Sequence, residues 1–185
     1  MNCKHIQESG IKQDGEYNLF VMWPNDKRSG KVYCADMASK TPLEYVTLPA
    51  GEGNNFARHY QKQTHEKQET MFTKIRLNLA EMKIVTNDYR FATTNVPGVY
   101  HRYATAGDCK SYGCTDPRSG IFQVDISGTS FRLPLTIPYK YVSHPACAQK
   151  LFSPTMDASR LRWSATCGGR CGGCAPEYLH LELSG

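Results

Sequence analysis

A mainly β, disulfide-stapled module is what this sequence predicts: an antiparallel sheet or sandwich-like arrangement with at most one or two short helices. Three observations carry that reading. Short runs of β-branched and aromatic residues recur between turn residues, the pattern of half-buried strands. Eight cysteines are distributed over 185 residues, and 15 Gly and 10 Pro are scattered instead of gathered into a linker. A chain with 40% hydrophobic and 11% aromatic residues is neither intrinsically disordered, collagen-like nor a coiled coil. With no internal repeat and no low-complexity stretch, residues 1–185 read as one domain.

The strand candidates follow in order. Residues 17–23, 31–34 and 45–48 come first, each rich in Tyr, Val or Leu. In residues 72–79, Ile75, Leu77 and Leu79 alternate with Lys74, Arg76 and Asn78, which gives a strand one apolar and one basic face. Glu81 falls in a turn, and residues 82–85 and 89–92 resume the pattern. Residues 121–126, 131–133, 161–165 and 178–183 complete the set. The exception is 54–70, polar and charged, where the four-residue spacing of Phe56 and Tyr60 predicts a short helix or an exposed loop. That stretch carries Arg58, His59, Lys62, His65 and Lys67 and reads as a solvated basic surface.

No run approaches the ~18 to 20 apolar residues of a membrane span. The first fifteen residues include Lys4, His5, Glu8, Lys12 and Asp14 and lack the apolar centre of a signal peptide, whereas the cysteine content points to an oxidising compartment. A longer secreted chain with its export signal upstream reconciles the two. No Asn-x-Ser/Thr glycan acceptor occurs.

Cys3 and Cys34 bound the first pair of strands, and Cys109 and Cys114 flank a short loop, so these are the first pairings to expect. Cys147 and the cluster Cys167-Gly-Gly-Arg-Cys171-Gly-Gly-Cys174 would then form two further bridges among themselves. The eight positions admit about 105 connectivities, and sequence alone does not choose among them. The cluster invites sharper chemistry. Its spacing also holds iron–sulfur clusters, but ahead of a long barrel, and only eleven residues follow Cys174. A redox Cys-x-x-Cys needs a helix N-terminus, whereas Ala-Pro follows here. A structural zinc held by Cys147, Cys167, Cys171 and Cys174 is the better rival to disulfides, because glycines permit tight turns around a metal.

No catalytic constellation stands out. The string His65-Glu66-Lys67-Gln68-Glu69 lacks the second histidine of a zinc protease, and no nucleophile elbow, Walker loop, dinucleotide fingerprint or EF-hand loop is present. His5, His101, His144 and His180 are scattered singly. A net charge of +5 is too mild for a nucleic-acid binder. Lys27, Arg28, Lys31, Lys74, Arg76, Arg160, Arg162 and Arg170 are candidates for a patch facing sulfated glycans or acidic matrix partners, with solvated surface as the simpler reading. Trp23 and Trp163 read as packing residues, not sugar platforms.

The segments Cys3-Lys-His-Ile-Gln, Asp14-Gly-Glu-Tyr17, Val32-Tyr-Cys-Ala-Asp-Met37, Glu44-Tyr-Val-Thr-Leu48, Tyr103-Ala-Thr-Ala-Gly-Asp-Cys109 and Cys167-Gly-Gly-Arg-Cys-Gly-Gly-Cys174 resemble the GON domain. That is the C-terminal module of a subgroup of ADAMTS proteins, secreted zinc metalloproteases bearing thrombospondin repeats. The middle block from Phe72 through Met82 and Phe91 is similar as well, so the resemblance runs nearly the whole chain in order. The opening is also similar to fibrinogen-related domains, in which the corresponding cysteines are bridged, and this supports pairing Cys3 with Cys34. Two features depart from the pattern: 61–70 lacks extra cysteines associated with the family, and Cys147 has no matching position. The resemblance implies a secreted, matrix-associated, non-catalytic module within a larger multidomain chain. It would bind an extracellular matrix protein, a cell-surface protein or a sulfated glycan and serve localisation or secretion. The metalloendopeptidase activity and its zinc would belong to the parent's protease domain, so no catalytic residue and no cofactor carries over to this chain.

Overall fold

The computed structural model describes residues 2–23, 26–110, 120–142 and 153–184. In chain order the elements are α1 (Cys3–Glu8), β1 (Gly15–Trp23), β2 (Asp26–Ala35), β3 (Leu43–Thr47), a 3-10 turn (Glu52–Asn54), β4 (Phe56–Tyr60), β5 (Lys67–Phe72), β6 (Lys74–Asn78) and β7 (Lys83–Val85). They continue with β8 (Ala92–Thr94), β9 (Ala106–Asp108), β10 (Ile121–Asp125), β11 (Phe131–Arg132), β12 (Tyr139–Val142), β13 (Ser153–Met156), β14 (Arg162–Thr166), β15 (Gly172–Pro176) and β16 (Glu182–Leu183). The mainly β expectation holds.

The first sheet has five strands in the order β1-β2-β3-β6-β7. The second has nine, with the path β12-β15-β9-β4-β10-β14-β13 and with β5 bridging β4 to β8. A small pair, β11 with β16, completes the set. The pairings are antiparallel apart from β4 with β9, which is parallel. One contiguous apolar core draws on both sheets: Leu19, Val32, Val46, Ile75, Leu77 and Ile84 from the first, and Ala57, Phe72, Phe122, Val124, Trp163 and Ala165 from the second. Strand β6 shows the alternation read from sequence, with Ile75 and Leu77 buried and Lys74, Arg76 and Asn78 only partly so. Its basic face is occupied: Lys74 lies 4.6 Å over the Tyr33 ring and Arg76 is 3.5 Å from Asp88.

Asn55, fully buried, is the polar joint of this core. Its amide donates to the carbonyls of Gly51 and Asp125, while its Oδ1 accepts from the Tyr103 hydroxyl at 2.7 Å and from the Asp125 N–H at 2.9 Å. All four bonds of one small side chain are used, which is what burial of an amide requires. The second sheet is thereby tied to the loop that carries Tyr103.

The helix or loop expected over 54–70 is instead a β-hairpin, β4 with β5. In a strand, Phe56, Arg58 and Tyr60 share one face, so their spacing fits a strand as well as a helix edge. The charges that suggested solvent exposure are met across the ladder. Arg58 stands opposite Glu69 and donates to it at 2.6 Å, and Lys67 lies 3.4 Å from the same carboxylate. Tertiary pairing overrides the local pattern.

Candidate functional site

Around the glycine-rich cluster of residues 167–174 the chain is organised by disulfides and by the backbone of one aspartate, Asp108. Cys3 is bridged to Cys34, which fastens α1 to β2 with the two Cα atoms 5.5 Å apart. Cys109 is bridged to Cys171, and Cys167 to Cys174. The expected Cys109–Cys114 pairing is therefore corrected, and Cys114, Cys147 and His144 lie outside the described residues. The physical reason is the sheet. Strand β15 runs antiparallel to β9, with Gly172 opposite Asp108, so Cys171 arrives beside Cys109 although distant in sequence. The zinc alternative fails on the same finding. Cys167, Cys171 and Cys174 are disulfide sulfurs, not thiolates, and among the described residues no group of three His, Cys, Asp or Glu side chains converges on a metal position.

The glycines of the cluster turn around Asp108 instead of a metal. Asp108 is almost wholly buried; its carbonyl accepts from the N–H groups of Gly169 and Cys171, and its Oδ1 accepts from the Lys110 N–H at 2.7 Å. Gly168 has φ +116°, and a Cβ there would stand 2.4 Å from the Asp108 Cβ and 2.6 Å from its backbone nitrogen. Only glycine fits so close to another backbone in that conformation.

Beside this turn opens a cleft of about 520 Å³, the size of a small-ligand site. Backbone of β9 and β15, with Gly107, Gly172 and Gly173, contributes to its lining, together with His59 and Tyr60 of β4. Tyr89, Tyr100, His101 and Arg102 line it from the loops flanking β8, and Lys140 from β12. His59 and His101 stack face to face, ring centroids 3.8 Å apart and 9° from parallel. Tyr89 and Tyr100 form a second stacked pair at 5.1 Å. Gly107 makes the first stack possible, because a Cβ there would lie 2.5 Å from His59 Nδ1.

Hydrogen bonding assigns the protons. The Thr105 hydroxyl donates to the Arg102 carbonyl at 2.7 Å, so its oxygen accepts from His59 Nε2–H at 3.0 Å. His101 Nε2 lies 3.1 Å from the Gln68 side-chain oxygen and donates to it. Each imidazole is then left with an Nδ1 acceptor that has no partner among the described residues. Burial, reinforced by the neighbouring His101, pushes His59 down to about 3, with the Thr105 contact opposing. Burial also lowers His101. Both rings are neutral at physiological pH.

A hydroxyl and an imidazole 3.0 Å apart have the spacing of a nucleophile and its base. The Thr105 proton is committed to a carbonyl, burial lowers the basicity of His59, and no described carboxylate orients its Nδ1. The cleft presents aromatic faces, neutral imidazoles and nearby cations.

The other candidates from sequence are dispersed. Arg76, Arg160 and Arg162 are engaged with Asp88, Glu182 and Asp125, so they do not form an open basic patch. The side chains of Lys27, Arg28 and Trp23 lie outside the described residues. Trp163 is buried against Phe122, as a packing residue should be. His5 caps α1 by accepting the Asn2 N–H, and His180 contacts the Glu81 carbonyl. The sequence reads His59 as surface and His101 as isolated, because no periodicity joins residues brought together by different elements.

A disulfide-braced, mainly β module with an aromatic-lined cleft is the class that fold and site define. Comparison with known proteins then places it. The GON domain family matches residues 1–71 and 62–184, and the chain belongs to that family. It is 32% identical over 198 residues to a disintegrin and metalloproteinase with thrombospondin motifs 20 of Homo sapiens, covering 94% of this chain and 10% of that protein. The Mus musculus protein of the same name is 28% identical, with 94% and 10% covered. A disintegrin and metalloproteinase with thrombospondin motifs gon-1 of Caenorhabditis elegans is 27% identical, with 95% and 9% covered. The chain thus spans about a tenth of the length of the curated relatives it matches. No solved structure matches it.

Proposed function

We propose that this chain is a non-catalytic extracellular interaction module that localises a longer ADAMTS-type protease in the matrix. The observation that supports the reading is the aromatic-lined cleft, in which the Thr105 hydroxyl proton is committed to a backbone carbonyl and burial lowers the basicity of His59. The disulfides suit an oxidising, secreted setting, and the relatives' names support a metalloproteinase context. In that context the peptide-bond chemistry and its zinc belong to other parts of the parent chain.

The test is to express the chain in secreted form and incubate it with cell-deposited, decellularised matrix. Retention through a physiological-salt wash, with no new matrix fragments, is the expected outcome. Recovery of all the protein in the wash, or fragments that appear with the purified module alone, would overturn the reading.

A further inference from the structure

The geometry points to the His59–His101 cleft as a binding site for an anionic saccharide, a short run of sugar rings bearing carboxylate or sulfate. This deepens the matrix-interaction reading and rests on it for context. The chemistry of the cleft argues for sugar in three ways.

First, aromatic rings line an open space of about 520 Å³. Tyr100 is 40% exposed and stacked on Tyr89, which fixes its orientation. The weakly positive C–H face of a sugar ring lies well on the negative face of such a ring. Second, sugars bring many hydroxyl donors, which need acceptors. His101 Nδ1 has no partner among the described residues, and burial holds the ring neutral so that its lone pair stays available. Third, cations stand in and beside the cleft, and one of them is without a carboxylate. Arg102 lines the cleft and pairs with no carboxylate among the described residues, while Lys110 lies 5.3 Å over the Tyr60 ring. Lys140, 75% exposed, reaches Glu177 only at 3.6 Å. A guanidinium fork suits a carboxylate or sulfate, which supplies the anionic part of the ligand.

The same features disfavour other occupants. A quaternary ammonium would meet the aromatic faces but also Arg102 and Lys140, which repel it. An acidic peptide would satisfy Arg102 with a carboxylate, but that side chain is acceptor-only, and only backbone N–H groups would be left to donate to the imidazole lone pair, where a sugar ring brings several hydroxyls.

The experiment titrates the purified chain with four probes: a heparin tetrasaccharide, a hyaluronan tetrasaccharide, neutral chitotetraose and hexaglutamate. Binding is followed by calorimetry and by amide NMR shifts. At least one anionic tetrasaccharide is expected to bind, shifting signals of Tyr100, His101 and Arg102, and which one binds tells sulfate from carboxylate recognition. Arg102→Ala and Tyr100→Ala each weaken it at least about tenfold, while Lys12→Ala, remote in sequence and exposed, changes it by less than about twofold. Three outcomes would overturn the proposal: hexaglutamate binding as tightly as the saccharides, equal loss in Lys12→Ala, or no binding of either anionic saccharide with shifts absent in the unmodified protein. Matrix retention is scored separately. Saccharide binding without retention would sink the localisation reading alone, and retention without saccharide binding would sink this site alone.

Discussion

His59 and His101 can pack face to face because neither carries a charge, and partial burial is what disfavours the charged form of each. That arrangement has a thermodynamic consequence with a definite sign. An unfolded chain binds a proton at each histidine below about pH 6.5, whereas the folded chain withholds it from His59 until about 3. The unfolded state therefore holds more protons in this window. The stability contributed by the neutral ring is fully present above about pH 6.5 and declines as pH falls toward the folded value, by up to about 1.4 kcal/mol per pH unit for one site. Thermal melts between about pH 7 and pH 4.5 should show a falling midpoint, and His59→Gln should flatten that slope whatever it does to the midpoint at neutrality. Equal slopes in the two proteins would mean that His59 takes up its proton without resistance.

The hairpin of β4 and β5 carries one of the cleft's imidazoles, His59, on β4 and the amide that holds the other on β5. Arg58 is paired with Glu69, and Gln68 supports His101. Just before β4, Asn55 connects the Glu52–Asn54 turn, β10 and the Tyr103 loop through four hydrogen bonds. Its contribution is a property of elements, because none of them is held together by local contacts alone. Asn55→Ala strands a buried Tyr103 hydroxyl and the Asp125 N–H, at about 1–3 kcal/mol for each group left unpaired. A loss of about 3 kcal/mol in urea denaturation is expected for the pair. A loss below about 0.5 kcal/mol, as for an ordinary surface change, would show that water reaches the joint.

Across the whole molecule the disulfides differ in what they constrain. Cys109–Cys171 closes a separation of 62 residues and Cys167–Cys174 one of only 7. Chain-entropy scaling puts them at about 4 and about 2 kcal/mol respectively. Replacing both cysteines of the long bridge by serine should therefore lower stability more than replacing both of the short one, with denaturant midpoints as the readout. Peptide mapping without reduction should recover Cys109 linked to Cys171. A Cys109–Cys114 peptide would restore the pairing that chain proximity suggested.

The legible parts of this protein are those whose signal is local. The alternation of Ile75 and Leu77 with Lys74, Arg76 and Asn78 predicts β6 because one strand face is buried and the other is not. The ordered segments from Cys3 to Cys174 were sufficient to recognise the family. Strands β9 and β15 were not legible, because glycine has no side chain to alternate and their place is set by neighbours. Nor were the partners of the cysteines or the stacked histidines. Cys109 meets Cys171 only after β9 and β15 pair, and His59 meets His101 only where Gly107 leaves room for the ring. Residue types and periods are written along one dimension and so determined the β class and the family. Which distant side chains share a bridge or a cleft was decided by the packing of the sheets, since contact is a property of three dimensions.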